Sequence, residues 1–235
     1  MIKIMLCILA LFLQVSPALA QYRHAAFASA TPPPLPQKIV IIPAEIRVQE
    51  LSVGGILTKL PDLTDLASAN LSKSSRTFLT EKKSLEAKEI PPNLSAGEKE
   101  QLEDYLATFY MVGLSAFNTT RAGGAWQHKR ENFDYSLGQG LNFLREKTGA
   151  DAALMIVGED IVSSGGRKTA AILGLLAGVV VPTGTSVVFV CMVDLKTGDL
   201  QWIHSTSSGV KDLSNPESAN TMITEMLAAY PLAKQ

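Results

Sequence analysis

The stretch "ADAALMIVGEDIV", residues 150–162, decides the fold of this chain. Every side chain from Ala152 to Val157 is apolar, and the charged pair Glu159 and Asp160 follows after one glycine. A short, continuous apolar run of this kind is typical of a strand that is covered on both faces. The sequence therefore predicts a central β-strand over residues 151–162.

Further strands are predicted on both sides of this segment. "KIVII", residues 38–42, is another continuous apolar run, and residues 44–49 alternate between apolar and polar after Pro43, which indicates a bent or split edge strand. "TSVVFVCMVDLKTGDLQWIHS", residues 185–205, predicts two strands in a hairpin, with Gly198 in the turn at positive φ. Cys191 lies in the first of these strands, where a buried, inert thiol is expected.

Four helices are predicted around these strands. The first is capped by Asp62, and the second begins with the capping box of Ser95 and Glu98. The third ends at Gly149 and the last begins at Pro216. The third is predicted from the spacing of Phe133, Leu137, Leu141 and Leu144. Together these elements predict an α/β fold: a single sandwich domain with a mixed β-sheet flanked by helices, a late β-hairpin and a C-terminal helix.

The first residues have the layout of an export signal. "MIKIMLCILALFLQVSPALA" combines an early lysine, an apolar run and a small-residue site, which predicts a cleaved signal peptide over residues 1–20, cut after Ala20. Residues 21–37 are rich in Ala and Pro and are predicted to form a disordered leader, followed by a single domain over residues 38–235. An exported, periplasmic protein is therefore expected, either free or peripheral to a membrane.

An apolar insert is predicted over residues 169–182. From Ala170 to Val181 the chain has no charge and no hydrogen-bonding side chain, but it is shorter than the roughly 20 residues of a membrane-spanning helix. A G-x-x-x-G step in this run favours a short, closely packed helix. The insert is either part of the core, a protein interface or a membrane contact. Its candidate contact surface is Leu173, Gly174, Leu176, Gly178 and Val180.

No combination of residues predicts a reaction. The three histidines are isolated from one another and from other metal ligands, and Ser163 replaces the first glycine that a phosphate-binding loop needs, so neither a metal nor a cofactor is expected. The net charge of −1 without a basic block also argues against nucleic acid as a partner. The remaining weak functional candidates are Glu159, Asp160 and Arg167, and the two carboxylates should point to opposite faces because they are adjacent in a strand.

Several short motifs resemble a group of bacterial envelope proteins. "KIVIIP", the "GAD" of residues 149–151, "SSGGR" and "VDLKTGDLQW" occur in the order seen in the curli-secretion-channel lipoproteins. They are also similar to penicillin-binding-protein activator lipoproteins, to the amino-terminal domain of the Tol-system protein B, and to other exported envelope proteins. The resemblance implies a periplasmic α/β sandwich with a non-enzymatic role in docking, assembly or secretion.

Three functions follow from these observations. The first is a non-catalytic periplasmic envelope protein that contacts other envelope proteins or copies of itself. The second is a membrane-associated oligomeric pore or secretion subunit, although residues 170–181 lack the alternation of a membrane-inserting β-hairpin. The third is a hydrolase that uses Glu159 or Asp160. The first, a non-catalytic envelope protein, is the function that the sequence favours.

Overall fold

The predicted central strand lies in the middle of an eight-stranded mixed sheet in the computed structural model of the protein. The structure describes residues 20–166, 168, 169, 173, 184–209 and 212–230. The strands with described bounds are β1 (Ala20–Arg23), β2 (Lys38–Ile41), β3 (Glu45–Leu51), β4 (Leu57–Lys59), β5 (Glu86–Glu89), β6 (Ala152–Ser163), β7 (Gly184–Asp194) and β8 (Leu200–Ser208). The helices with described bounds are α1 (Pro61–Lys83), α2 (Ala96–Thr120), α3 (Asn142–Thr148) and α4 (Pro216–Ala228).

Two parallel strands share one side of β6. The first part of β6 pairs with β2, from Ile39 opposite Ala152, and the second part pairs with β3, ending with Leu51 opposite Ser163. The split strand predicted around Pro43 is thus confirmed. It is not an edge strand, because β4 adds to β3 and β5 adds to β2. The short strands β4 and β5 were not predicted, since neither contains the apolar run or alternation that marks a strand in sequence.

The predicted late hairpin forms the other half of the sheet. β7 runs antiparallel to β6 along its whole length, and β8 runs antiparallel to β7. Gly198 in the connecting turn has φ +80°, as predicted. Strand β1 pairs antiparallel with β8 and forms the edge on this side.

Helices cover both faces of the sheet, which explains the continuous apolar run of β6. Leu154 and Ile156 belong to the core under α1 and α4, whereas Met155 and Val157 belong to the core under α2 and α3. Because neighbouring strand residues point to opposite faces, both sets must be apolar when both faces are covered. The α/β sandwich predicted from sequence is the observed fold. Cys191 is fully buried in the second core, and burial raises the pKa of its thiol well above the ordinary value.

The helix starts agree with the sequence in two cases and differ in one. Ser95 forms the predicted capping box, in which its amide donates to Glu98 Oε2 at 2.7 Å and its Oγ accepts from the Glu98 amide at 3.3 Å. Pro216 begins α4 as predicted. Helix α1 instead begins at Pro61, so Asp62 lies in the first turn and is not the cap. Proline suits this position because its fixed φ is helical and its missing N–H is not needed there.

The third predicted helix is much shorter than its apolar spacing suggested. It covers only Asn142–Thr148 and is capped by Gly149, which has φ +67°. Phe133 and Leu137 lie in an irregular segment before it. Both side chains are still buried, and the Leu137 amide donates to Gly198 O at 2.8 Å. The spacing therefore reflected burial against the sheet and not a helix.

The first described residues belong to the fold, which corrects the predicted disordered leader over residues 21–37. Residues 20–23 form β1, and a 3₁₀ turn, Ala25–Ala28, follows it. The Tyr22 ring stacks on Phe133 with 5.5 Å between ring centroids, and Phe27 is buried. Tyr22 belongs to the core on the α2 side of the sheet, so the folded unit begins before Lys38. Residues 1–19, which hold most of the predicted signal, lie outside the described residues.

Candidate functional site

One end of the sheet carries an apolar tip, which we define as Val53, Ile56 and Leu57. These side chains surround the turn between β3 and β4, and Val53 and Ile56 are 62% and 68% exposed. The turn is well defined, because the amide of Ser52 donates to Ile56 O at 2.9 Å and the Ile56 amide donates to Ser52 Oγ at 3.0 Å. Apolar side chains of this size are therefore presented to solvent by an ordered hairpin.

The apolar tip lies beside the point where the predicted insert leaves the sheet. The amide of Ser164 donates to Leu51 O at 3.1 Å, and a methyl group added at Gly166 would lie only 3.2 Å from Val53 Cγ2. Of the five candidate contact residues, only Leu173 is described, and it is 61% exposed. Gly174, Leu176, Gly178, Val180 and the candidate Arg167 lie outside the described residues. No helix in the described part of the chain is both long and apolar enough to cross a membrane.

Glu159 and Asp160 point to opposite faces, as predicted. On the α2 face, Glu159 Oε1 accepts a hydrogen bond from Tyr110 Oη at 3.0 Å and lies 3.7 Å from the Arg47 guanidinium. The guanidinium also stacks over the Tyr110 ring at 4.8 Å. The pKa of Tyr110 is raised, mainly because the side chain is partly buried and secondly because it donates a hydrogen bond to Glu159. This half-exposed cluster joins β3, β6 and α2, and ion pairs of this kind contribute about 0–1 kcal/mol to stability.

Asp160 is buried on the other face and holds the loop before α4. Its Oδ1 accepts from Ser186 Oγ at 2.7 Å and its Oδ2 accepts from the Leu213 amide at 2.8 Å. Asn70 of α1 holds the same loop by donating to Ser214 O at 2.9 Å. Burial raises the pKa of Asp160, while the two hydrogen bonds oppose that rise. The carboxylate is therefore engaged in a structural role.

The three histidines are distant from one another in the sequence and have different surroundings in the structure. His24 accepts from the Ala26 amide at Nδ1, His128 is exposed in the short 3₁₀ helix Gln127–Arg130, and His204 is fully buried in β8. Both ring nitrogens of His204 lack a hydrogen-bond partner in the described part of the chain, and its ring lies 5.7 Å from that of Trp202. Among the described residues, no group of three or more His, Cys, Asp or Glu side chains is placed to hold a metal ion.

His204 is expected to make stability depend on pH in mildly acidic solution. Burial lowers the pKa of His204, so the folded state holds the neutral ring while the unfolded chain takes up a proton below about pH 6.5. Its contribution to stability is present above that pH and is lost as the pH falls through the lowered pKa. Urea unfolding between pH 5 and 7.5 should show this slope. His204→Leu should flatten it, whereas the exposed His128→Gln should not; an unchanged slope in His204→Leu would contradict the assignment.

A charged cleft of about 590 Å³ lies at the other end of the sheet. It is formed where the 3₁₀ turn and the Pro-rich segment cross the start of β6 and the neck of the β7–β8 hairpin. The charged cleft is lined by His24, Ala26, Phe27, Pro33, Pro34, Leu35, Pro36, Gln37, Arg145, Asp151, Asp194, Lys196, Thr197, Asp199 and Gln201. Its volume falls within the range of about 300–1,000 Å³ typical of small-ligand sites.

Neither the apolar tip nor the charged cleft was predicted from the sequence. The tip had a local signal, because "LSVGGIL", residues 51–57, places apolar residues on both sides of a Gly-Gly turn. The cleft had none, because its residues come from four separate segments that only the folded sheet brings together.

Comparison with known proteins yields structural likeness only. No protein-family model matches the chain, and no curated protein matches it. The chain is similar to the PelC dodecamer from Paraburkholderia phytofirmans, with 12% identity, 93% of this chain and 100% of that chain covered, and a TM-score of 0.42. It is also similar to lipoprotein GNA1162 from Neisseria meningitidis, with 16% identity, 74% and 80% coverage and a TM-score of 0.30. Both scores lie below 0.5, so this likeness by itself establishes neither function nor oligomeric state.

Proposed function

We propose that this chain is a non-catalytic periplasmic protein of the bacterial envelope, which acts through protein–protein contacts in docking, assembly or secretion. The observation that carries the proposal is the apolar tip. Three exposed aliphatic side chains on an ordered hairpin form the kind of apolar cluster that marks interaction sites on folded proteins. Export is supported by the signal-like sequence of residues 1–20.

The environments of the candidate carboxylates also support a non-catalytic role. Asp160 is buried and accepts one hydrogen bond from Ser186 of β7 and one from the Leu213 amide of the loop before α4. Glu159 is shared between Tyr110 and Arg47 on the surface. A pair of carboxylates that divides the work of acid and base must face one substrate, and these two face opposite sides of the sheet. Neither is therefore proposed as a catalytic residue.

Site-specific photo-crosslinking in cells tests the proposal. A photoreactive residue at Ile56 should give defined protein adducts, while one at Met111, which is equally apolar and exposed on α2, should not. The adducts should disappear when Val53 and Leu57 are changed to Ser in the same chain. Adducts at Met111 that match those at Ile56, or none at Ile56, would contradict a contact role for the apolar tip.

The mass of the purified protein in solution separates the two kinds of protein partner. The full chain has a mass of 25.2 kDa, and removal of the signal would lower the monomer mass accordingly. If the partner is a second copy, the wild type should have a larger mass than this monomer. The triple change Val53→Ser, Ile56→Ser and Leu57→Ser should then restore the monomer. If the partner is another envelope protein, the wild type should already be monomeric. The matched control changes the exposed Leu66 and Met111 to Ser and should leave the mass unaltered.

A further inference from the structure

We propose that the charged cleft binds an alkylammonium group, and that it fits the side chain of a lysine presented by a polypeptide. The cleft lies at the opposite end of the sheet from the apolar tip, so this proposal does not depend on the proposed function. Its chemistry comes from three residues at the neck of the β7–β8 hairpin, namely Asp194, Asp199 and Gln201. We call these three residues the cleft floor.

The side-chain oxygen of Gln201 is a hydrogen-bond acceptor that no donor in the described residues satisfies. The residue is only 7% exposed, and its Nε2 donates to Asp194 Oδ2 at 3.0 Å. Its Oε1 is buried and has no hydrogen-bond partner in the described part of the chain. A buried polar atom left without a partner destabilises the folded state, and native proteins rarely retain one without a reason. A ligand that brings an N–H group to the cleft floor would remove this cost.

Asp194 fixes the orientation of that acceptor. Its Oδ1 accepts the amides of Lys196 at 2.8 Å and Thr197 at 3.0 Å, and its Oδ2 accepts the Gln201 side chain. Because a carboxylate accepts hydrogen bonds and cannot donate them, Gln201 must turn its NH₂ toward Asp194 and its oxygen away from it. The acceptor is thus held in place before any ligand arrives.

Asp199 adds a further carboxylate to the lining of the charged cleft. Its carbonyl oxygen accepts the Asp194 amide at 2.9 Å, which places the two aspartates side by side across the hairpin neck. Some surface aspartates of this protein form ion pairs, as Asp134 does with Lys129. Asp199 forms no ion pair within the described part of the chain. An ammonium group carries three donors and one positive charge, and therefore matches a floor made of an amide oxygen and carboxylates.

The walls and the rim favour a single lysine side chain over a ligand with several positive charges. Phe27 and Pro36 are buried in the wall and offer apolar surface for the aliphatic stem of a lysine. Arg145 and Lys196 are exposed on the rim, where they repel further cations. A polyamine has cationic groups along its whole length, so it meets this repulsion, whereas an isolated lysine between neutral or acidic residues does not.

Titration of the whole protein, followed by NMR, tests the proposal with defined probes. The probes are Nα-acetyl-lysine amide, the norleucine analogue that lacks the ammonium group, and spermidine. We expect the lysine probe to shift the Gln201 side-chain amide signals in a saturable way and the norleucine probe to leave them unchanged. Asp199→Asn should weaken lysine binding at least tenfold, whereas the exposed Asp104→Asn should bind like the wild type.

The outcomes are distinguishable even if a variant folds poorly, because the lysine and norleucine arms use the wild type. No saturable shift with the lysine probe, equal shifts with the norleucine probe, or equal affinity in Asp199→Asn and Asp104→Asn would overturn the proposal. Tighter binding of spermidine than of the lysine probe would overturn the assignment to a polypeptide lysine and support a free polyamine.

Discussion

Replacing Gly198 with alanine is expected to destabilise the folded protein by about 3 kcal/mol or more, within the range of large single-residue effects. Gly198 has φ +80°, a conformation that costs an L-residue roughly 1–2 kcal/mol. A methyl group there would also lie 1.9 Å from the carbonyl oxygen of Gly138, which belongs to the backbone and cannot rotate away. The hairpin turn and the segment before α3 would have to separate, which breaks the bond from the Leu137 amide to Gly198 O. Urea unfolding measures the loss.

Gly97→Ala is the matched control for this change. Gly97 lies in the first turn of α2, and no heavy atom lies within 4 Å of the position of an added methyl group. Alanine at an unstrained helical position is expected to stabilise the protein by about 0.4–1 kcal/mol. If Gly198→Ala unfolds at the same urea concentration as the wild type, the close approach between the hairpin turn and Gly138 is wrong.

Trp202→Ala is expected to cost about 3–5 kcal/mol, the range for removing a large aromatic side chain from a core. Trp202 is buried in β8, packs edge-on against Tyr230 with 5.2 Å between ring centroids, and donates from Nε1 to Gln21 Oε1 at 3.1 Å. It therefore joins the sheet to the C-terminal helix region and to the edge strand β1. Trp202→Phe retains most of the packing but loses the bond to Gln21, so a smaller loss is expected. Chemical unfolding of both variants measures the two contributions.

The second tryptophan of the chain provides the control. Trp126 is 45% exposed in the loop after α2, and Trp126→Ala should change stability by no more than about 0.5 kcal/mol. Fluorescence gives an independent check, because the emission of Trp202 in the Trp126→Ala variant should be shifted to shorter wavelength than that of Trp126 in Trp202→Phe. Equal losses of stability in the two alanine variants would contradict the burial of Trp202.

The regular elements could be predicted because their signals are local. Burial on both faces explains the apolar run from Ala152 to Val157, and local hydrogen bonds explain the capping box at Ser95. A positive φ explains Gly198 between two apolar strands. The irregular segment at Phe133 was wrongly predicted to be helical because its apolar residues recur at helical spacing. Its apolar spacing reports burial, and burial against a sheet needs no helix.

The candidate sites could be predicted only in part. Sequence reasoning correctly separated Glu159 from Asp160, because alternation along a strand is a local rule. It left residues 169–182 open as core, protein interface or membrane contact, and of the five contact candidates within them the structure describes Leu173 alone. It missed the apolar tip and the charged cleft, since exposure depends on what else packs nearby.

The sequence by itself determined the layered α/β architecture of this protein. Strands that are apolar along their whole length must be covered on both faces, and the helices between them are long enough to provide that cover. Only the tertiary structure decided the edges and ends of the sheet. Strands β4 and β5 form because a neighbouring strand offers free backbone groups, and not because of an apolar pattern of their own. The charged cleft likewise exists only because the neck of the β7–β8 hairpin meets residues 24–37 and the start of β6, which are remote from it in the sequence.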